Sequence, residues 1–193
     1  VQQQRSRYTI VCEEDTRLAS VAGKFQNEAR QHSQYPAVGD WVMVSLEGGE
    51  AVIHKVLDRK SCFERKAAGR KNEAQVVAAN IDLVFICMAL NQDFNLRRLE
   101  RYLSVAWSSG AAPVIVLTKA DLCPQVQERL AEVEQIAFGV EVILCSNALP
   151  DGYDQISQAV LPGKSIAFIG ASGVGKSTVI NHLKDVDFIK TKE

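Results

Sequence analysis

The run Gly170-Ala171-Ser172-Gly173-Val174-Gly175-Lys176-Ser177-Thr178 constrains this chain more than any other feature. It fits G-x-x-x-x-G-K-[ST], a loop that works only between a strand and a helix. Ile166–Ile169 reads as a short apolar strand entering it, and Val179, Ile180 and Leu183 mark a helix leaving it. Gly170, Gly173 and Gly175 let successive backbone N–H groups turn inward onto phosphate oxygens. Ala171, Ser172 and Val174 complete the loop, and the helix N-terminus adds partial positive charge. Lys176 is expected to reach the β- and γ-phosphates, Ser177 to ligate Mg²⁺, and Thr178 to contact a phosphate nearer the nucleoside. The bland alternative is a glycine-rich β–α turn with an exposed lysine. The intact strand and helix on either side favour the cradle.

A cradle of this kind belongs to an α/β frame, and the second half of the chain reads as one. Ile81–Leu90 is an apolar run of strand length. Asn95 caps a helical stripe of Leu96, Leu99, Leu103 and Ala106, closed by Gly110. Val114–Leu117 is the next buried strand. Pro124 opens a helix through Val126, Leu130, Val133 and Ala137, closed by Gly139. Val142–Leu144 is a strand, and Tyr153, Ile156 and Val160 mark a short helix. Strand and helix alternate, which argues for a mainly parallel sheet with helices on its faces.

The first sixty-odd residues differ. Tyr8–Val11, Leu18–Val21, Trp41–Val44 and Ala51–Val56 are short strand-like runs between turn-rich pieces, with no helical stripe. They suggest a small β-barrel or sandwich. The joint, Arg59–Lys71, carries Arg59, Lys60, Arg65, Lys66, Arg70 and Lys71 against the single acid Glu64. It reads either as a solvated linker or as a strip that neutralises phosphates. Phe63 within it is either a core anchor or a base-stacking ring.

Charge and cysteines exclude several classes. The net charge of −1 does not mark a dedicated nucleic-acid binder. Five scattered cysteines without a Cys-x-x-Cys pair argue against a disulfide framework or a zinc site in this segment. A reducing, cytoplasmic compartment and no membrane partner are the expectation. The longest apolar run is too short to cross a bilayer as a helix, and no signal-peptide h-region opens the chain.

A phosphate loop alone does not choose a base. The strand at Val114 runs into Thr118-Lys119-Ala120-Asp121, the [NT]-K-x-D pattern of guanine-nucleotide proteins. The Asp121 carboxylate can accept from both N1–H and the 2-amino group of guanine. Adenine offers neither donor there, and an unpaired carboxylate is costly. The Lys119 stem can lie along the base, and Thr118 offers a hydroxyl where other sequences use Asn. An Asp capping a helix after a strand would look the same in isolation. Beside a phosphate loop in one parallel sheet, the base-selecting reading leads. Ser146 and Asn147, at the end of the next strand, would bring backbone N–H groups and small side chains to the base. An adenine-handling enzyme would require the Thr118–Asp121 pattern to be accidental.

The order of these pieces is unusual, since the base selector precedes the phosphate loop. That order behind a small β-barrel resembles the circularly permuted RsgA/YjeQ GTPases. The likeness runs through Arg7-Tyr8-Thr9, Pro36–Val42, Phe63–Gly69, Ala78–Asp82, Thr118–Asp121 and Gly170–Thr178. It implies a multi-domain chain: an all-β OB-fold barrel at 1–70 that contacts rRNA, then an α/β P-loop GTPase domain with permuted motif order at 71–193. It implies GTP and GDP as ligands with Mg²⁺, and GTP hydrolysis in late maturation of the small (30S) ribosomal subunit. The basic strip becomes an RNA-contacting element. The family is expected to be monomeric.

Members of the family continue into switch segments and a Cys/His zinc module, whereas this chain ends at Glu193. The expectation is therefore nucleotide binding with little turnover, catalytic residues unknown, zinc only in the later module, and a sheet edge open to self-association. The alternative is a non-hydrolysing RNA-binding module with a GDP/GTP-sensing site.

Overall fold

The computed structural model describes residues 2–4, 7–12, 15–29, 31–47, 49–66, 74–148 and 152–184. The chain divides into two compact units, Val1–Ile81 and Asp82–Glu193.

In the first unit, β1 (Gln2–Gln4), β2 (Arg7–Val11), β3 (Thr16–Val21), β4 (Val42–Glu47) and β5 (Glu50–Val56) form one sheet in the order β1-β2-β3-β5-β4. Three pairings are antiparallel, while β3 runs parallel to β5 with Ala19 opposite Ala51 and Val21 opposite Ile53. Alternation explains the core. Tyr8 and Ile10 of β2, Ala19 and Val21 of β3, and Ala51 and Ile53 of β5 are buried together. Their sequence neighbours point to the other face, as a period of two requires. A register shift between Met43 and Val44 marks a bulge in β4.

Two elements here have no sequence signature. The helix α1 (Gly23–Glu28) contains no buried residue, so it has no apolar stripe to reveal it. The hairpin of β6 (Cys62–Lys66) and β7 (Ala74–Ala79) is antiparallel and shifts register between Phe63 and Glu64. Phe63 is half-buried opposite Ala78. β7 pairs with β6, and both lie within the first compact unit, which runs to Ile81.

Two contacts anchor the Pro36–Trp41 turn. Gly39 has φ +88°, and a Cβ there would collide with the Ala79 carbonyl oxygen. A left-handed backbone at close approach leaves glycine as the residue that fits. The second contact is made by Arg59, one of the cations of the basic strip. Its Nε and Nη2 donate to Asp40 Oδ1 and Oδ2 at 2.8 and 2.7 Å. Nη1 donates to the Ser33 carbonyl at 2.7 Å, and Nη2 also to the Tyr35 carbonyl at 2.9 Å. The side chains are 16% and 0% exposed. A buried carboxylate requires such a partner, and the guanidinium fork supplies a bidentate one. The Asp40 side chain lifts the Arg59 pKa above its ordinary value. Arg59 braces its own unit, with its donors engaged internally. Lys60 and Arg65 are exposed; Arg70, Lys71 and the side chain of Lys66 lie outside the described residues.

The second unit is a four-stranded, wholly parallel sheet in the order β10-β9-β8-β11. Its strands are β8 (Leu83–Ala89), β9 (Ala112–Thr118), β10 (Glu141–Leu144) and β11 (Ile166–Ile169). Between them run α2 (Leu96–Ser109), α3 (Val126–Ile136) and α4 (Asp154–Ala159), and α5 (Lys176–Lys184) follows β11. The strands β8 and β9 are apolar almost throughout and buried along most of their length, as expected of central parallel strands covered on both faces. Asn95 Oδ1 accepts from Arg98 N at 2.9 Å to cap α2, and Gly110 ends it at φ 84°. The stripe Leu99, Leu103 and Ala106 is buried. The helix read as opening at Pro124 begins at Val126. Among the described residues, no helix is long and apolar enough to cross a membrane.

Candidate nucleotide-binding site

The sheet order explains why distant motifs meet. Chain progression from β8 through β9 to β10 moves one way across the sheet, and β11 then pairs on the other side of β8. Such a reversal opens a crevice at the carboxyl ends of the strands, where ligands of open α/β sheets bind. Thr118 ends β9, Leu144 ends β10 and Ile169 ends β11, so all three motif loops leave the same edge.

The phosphate loop is shaped by its glycines. Gly170, Gly173 and Gly175 have φ of 150°, 78° and 97°. A Cβ on Gly170 would strike the Cys87 carbonyl oxygen, whereas one on Gly173 would meet nothing within 4 Å. The first glycine is thus a packing requirement and the second faces open space. Lys176 Nζ donates to the carbonyls of Gly170 and Ala171 at 3.0 and 2.6 Å. Among the described residues no carboxylate pairs with it. An ammonium resting on its own loop's carbonyls can exchange those partners for phosphate oxygens. Ser177 and Thr178 lie in the first turn of α5, both half-buried. A hydroxyl beside the cradle is a suitable hard oxygen ligand for Mg²⁺. The donor set therefore fits a nucleotide phosphate with its cation.

The base-side loop is tied to this cradle directly. Thr118, 2% exposed, donates from Oγ1 to the Val174 carbonyl at 2.5 Å. Lys119 Nζ donates to the Gly173 carbonyl at 3.0 Å. Lys119 has φ 58°, a left-handed conformation that a non-glycine residue adopts at a cost. It turns the chain into a short helical turn, Ala120–Leu122, that carries Asp121. Ser146 Oγ donates to Asp121 Oδ1 at 2.7 Å, and Ala148 N donates to Ser146 Oγ at 3.0 Å. Ala120 N donates to the Cys145 carbonyl at 3.1 Å. Asp121 Oδ2 has no partner among the described residues. One carboxylate oxygen is held and the other is left for a ligand.

The structure thus brings Thr118, Lys119, Ala120, Asp121 and Ser146 together with the loop from Gly170 to Thr178. Asn147 stands at the margin, its Oδ1 accepting a short hydrogen bond from Tyr153 OH. Beneath the site, burial pushes the Cys87 and Cys145 thiols up to about 12. Both are neutral core groups and not nucleophiles.

Two functions of side chains escaped the sequence. Thr118 was legible as a base-side hydroxyl, but not as a brace on the phosphate loop, because the two are joined by fold and not by spacing. Tyr153 was legible as an apolar mark on a short helix, and nothing local pairs it with His182. Their rings stack at 3.9 Å between centroids and 11° between planes.

Comparison with known proteins agrees with this geometry. The family described as RsgA GTPase matches residues 56–193. "Small ribosomal subunit biogenesis GTPase RsgA 2" of Lactiplantibacillus plantarum is 46% identical over 191 residues, covering 98% of this chain and 54% of that protein. "Small ribosomal subunit biogenesis GTPase RsgA" of Syntrophotalea carbinolica is 39% identical over 194 residues, covering 96% and 53%. The chain spans about half the length of these curated relatives. Among solved structures, YjeQ from Thermotoga maritima superposes with a TM-score of 0.75 at 25% identity, over 97% of this chain and 64% of that one. YloQ, a circularly permuted GTPase, shares the fold with a TM-score of 0.67 at 23% identity, over 94% and 61%. With its residues 56–193 matched by the family and relatives at 46% and 39% identity over nearly all of it, this chain belongs to the RsgA GTPase family.

Proposed function

We propose that the second unit binds GTP and GDP with Mg²⁺, and that the whole protein hydrolyses GTP during late maturation of the small ribosomal subunit in the cytoplasm. The observation that carries this reading is the direct tie of Thr118 and Lys119 to the Val174 and Gly173 carbonyls. It holds a guanine-selecting carboxylate at fixed reach from a phosphate cradle. Lys176 exchanges its loop carbonyls for the β- and γ-phosphates. Ser177 holds the metal, and Thr178 contacts a phosphate nearer the nucleoside. Lys119 supports the base plane. Asp121, its Oδ1 fixed by Ser146, reads guanine N1–H and the 2-amino group, and Ala120 and Asn147 flank that contact. Bound Mg²⁺ supplies charge neutralisation of the phosphate oxygens.

The first unit is, in this reading, an OB-fold that contacts rRNA. Its strand order and its β3/β5 parallel pair support that architecture. Lys60, Arg65, Lys66, Arg70 and Lys71 are the candidate phosphate contacts. The relatives from L. plantarum and S. carbinolica are named small ribosomal subunit biogenesis GTPases, which supports a ribosomal partner.

Calorimetric titration with GDP, GTP and ADP, with and without Mg²⁺, tests the nucleotide site. The expected result is a strong preference for GDP over ADP in the wild type, lost in Asp121→Asn. Equal affinities for GDP and ADP would overturn the reading.

A further inference from the structure

We propose that Tyr153 is a positioning residue for guanine selection, and that its stack on His182 couples the base-side loop to the helix of the phosphate loop. The inference rests on the guanine-nucleotide reading of the site. A continuous set of contacts carries it. Ser146 Oγ holds Asp121 Oδ1 at 2.7 Å. Asn147, the next residue, accepts from Tyr153 OH. The Tyr153 ring lies on His182, centroids 3.9 Å apart and planes 11° from parallel. His182 sits one turn beyond Thr178 on α5, so the two share a helix face. Base loop and phosphate helix are thereby joined a second time, through residues other than those of the Thr118 brace.

The environment of Tyr153 suits a fixed donor. Its ring is half-buried against the apolar core of the second unit. Burial pushes the phenol up to about 12, with Cys145 and Asp121 adding to the rise. The hydroxyl therefore stays protonated and donating throughout the physiological range, and Asp121 is near enough for its charge to be felt. Two flat rings in contact carry shape without needing charge. Their removal would free Asn147, and with it the segment that sets the Asp121 carboxylate.

The discriminating probe is inosine diphosphate, which keeps guanine's N1–H and lacks its 2-amino group. The ratio of GDP to IDP affinity reads the second contact to Asp121, and so reads how well that carboxylate is aimed. Titrations would compare the wild type, Tyr153→Phe, His182→Ala, His182→Phe and the Tyr153→Phe/His182→Ala double variant, each with its Tm. Tyr153→Phe keeps the ring and deletes the donor. It is expected to weaken GDP roughly two- to tenfold, to leave IDP less affected, and so to narrow the ratio. His182→Ala is expected to narrow it too, His182→Phe to restore it, and the double variant to fall short of the sum of the singles. A lowered Tm with an unchanged GDP-to-IDP ratio in Tyr153→Phe would reduce the residue to packing and overturn the inference alone. A wild type that does not prefer GDP over ADP would overturn the guanine reading and this inference with it.

Discussion

At the scale of single residues, the proposed reading separates binding strength from choice of base. Thr118 serves the phosphate loop, since its hydroxyl ends on the Val174 carbonyl. Thr118→Val keeps the shape and strands that carbonyl, an unpaired buried acceptor. The variant should lose roughly tenfold in GDP affinity and a similar factor in residual ADP affinity. Titration of both nucleotides checks this, and a selective loss of GDP would assign Thr118 to the base instead. Asp121→Asn should do the reverse and erase the preference. Arg59 shows a different division. In sequence it is one of six cations in a short strip, indistinguishable from Lys60. In space it closes on Asp40, nineteen residues earlier, and no local pattern encodes that pairing. Arg59→Ala leaves a fully buried carboxylate without its charged partner, with the Ala37 N–H still donating to it, and should cost about 3–5 kcal/mol of stability. Arg59→Lys should recover little, because a point charge cannot reproduce the fork. Urea unfolding of the two variants measures both effects.

At the scale of elements, what the sequence revealed follows from what each element buries. β8 and β9 are covered on both faces, so they read as unbroken apolar runs. β2, β3 and β5 alternate because one face is buried. α2 carries a full stripe, a capping Asn95 and a terminal Gly110. The elements that stayed hidden are those with little to bury. α1 has no buried residue, and β6 is rich in charge, so its pairing with β7 leaves no apolar signature. The phosphate loop was legible down to its glycines, yet their separate duties were not. Gly170 sits where a Cβ would strike Cys87, while Gly173 faces open space. Gly170→Ala should therefore disturb the β11-to-α5 connection and lower Tm together with binding. Gly173→Ala meets no neighbour and should cost only about 1–2 kcal/mol for its left-handed backbone, while its methyl stands where phosphate must approach. Thermal melts paired with GDP titrations distinguish the two, and equal losses of Tm would contradict the division.

At the scale of the whole molecule, the two units carry different physics. In the proposed reading the second unit holds a nucleotide through fixed geometry, its loops tied to each other by short, partly buried hydrogen bonds. Any rRNA contact by the first unit depends on exposed cations, whose work is the release of counterions from phosphates. The two mechanisms respond differently to salt. Affinity for a small-subunit rRNA fragment should fall as salt rises, with a slope set by the number of phosphates neutralised. Lys60 and Arg65 are exposed, Arg65 held by a surface hydrogen bond to Gln75 at 3.2 Å, so Lys60→Ala and Arg65→Ala should each flatten that slope by about 0.7–0.9. Arg59, whose donors are engaged within the unit, should not contribute to it. Arg59→Lys, compared at a temperature where it remains folded, should leave the slope unchanged even as stability falls. Binding isotherms at four or more salt concentrations would test all three. A slope change for Arg59→Lys equal to that of its neighbours would mean that the internal fork opens on RNA. A slope unmoved by Lys60→Ala and Arg65→Ala would remove the basic strip from the interface. The nucleotide titrations, run over the same salts, should show the weaker dependence expected of a site built on hydrogen bonds and one metal ion.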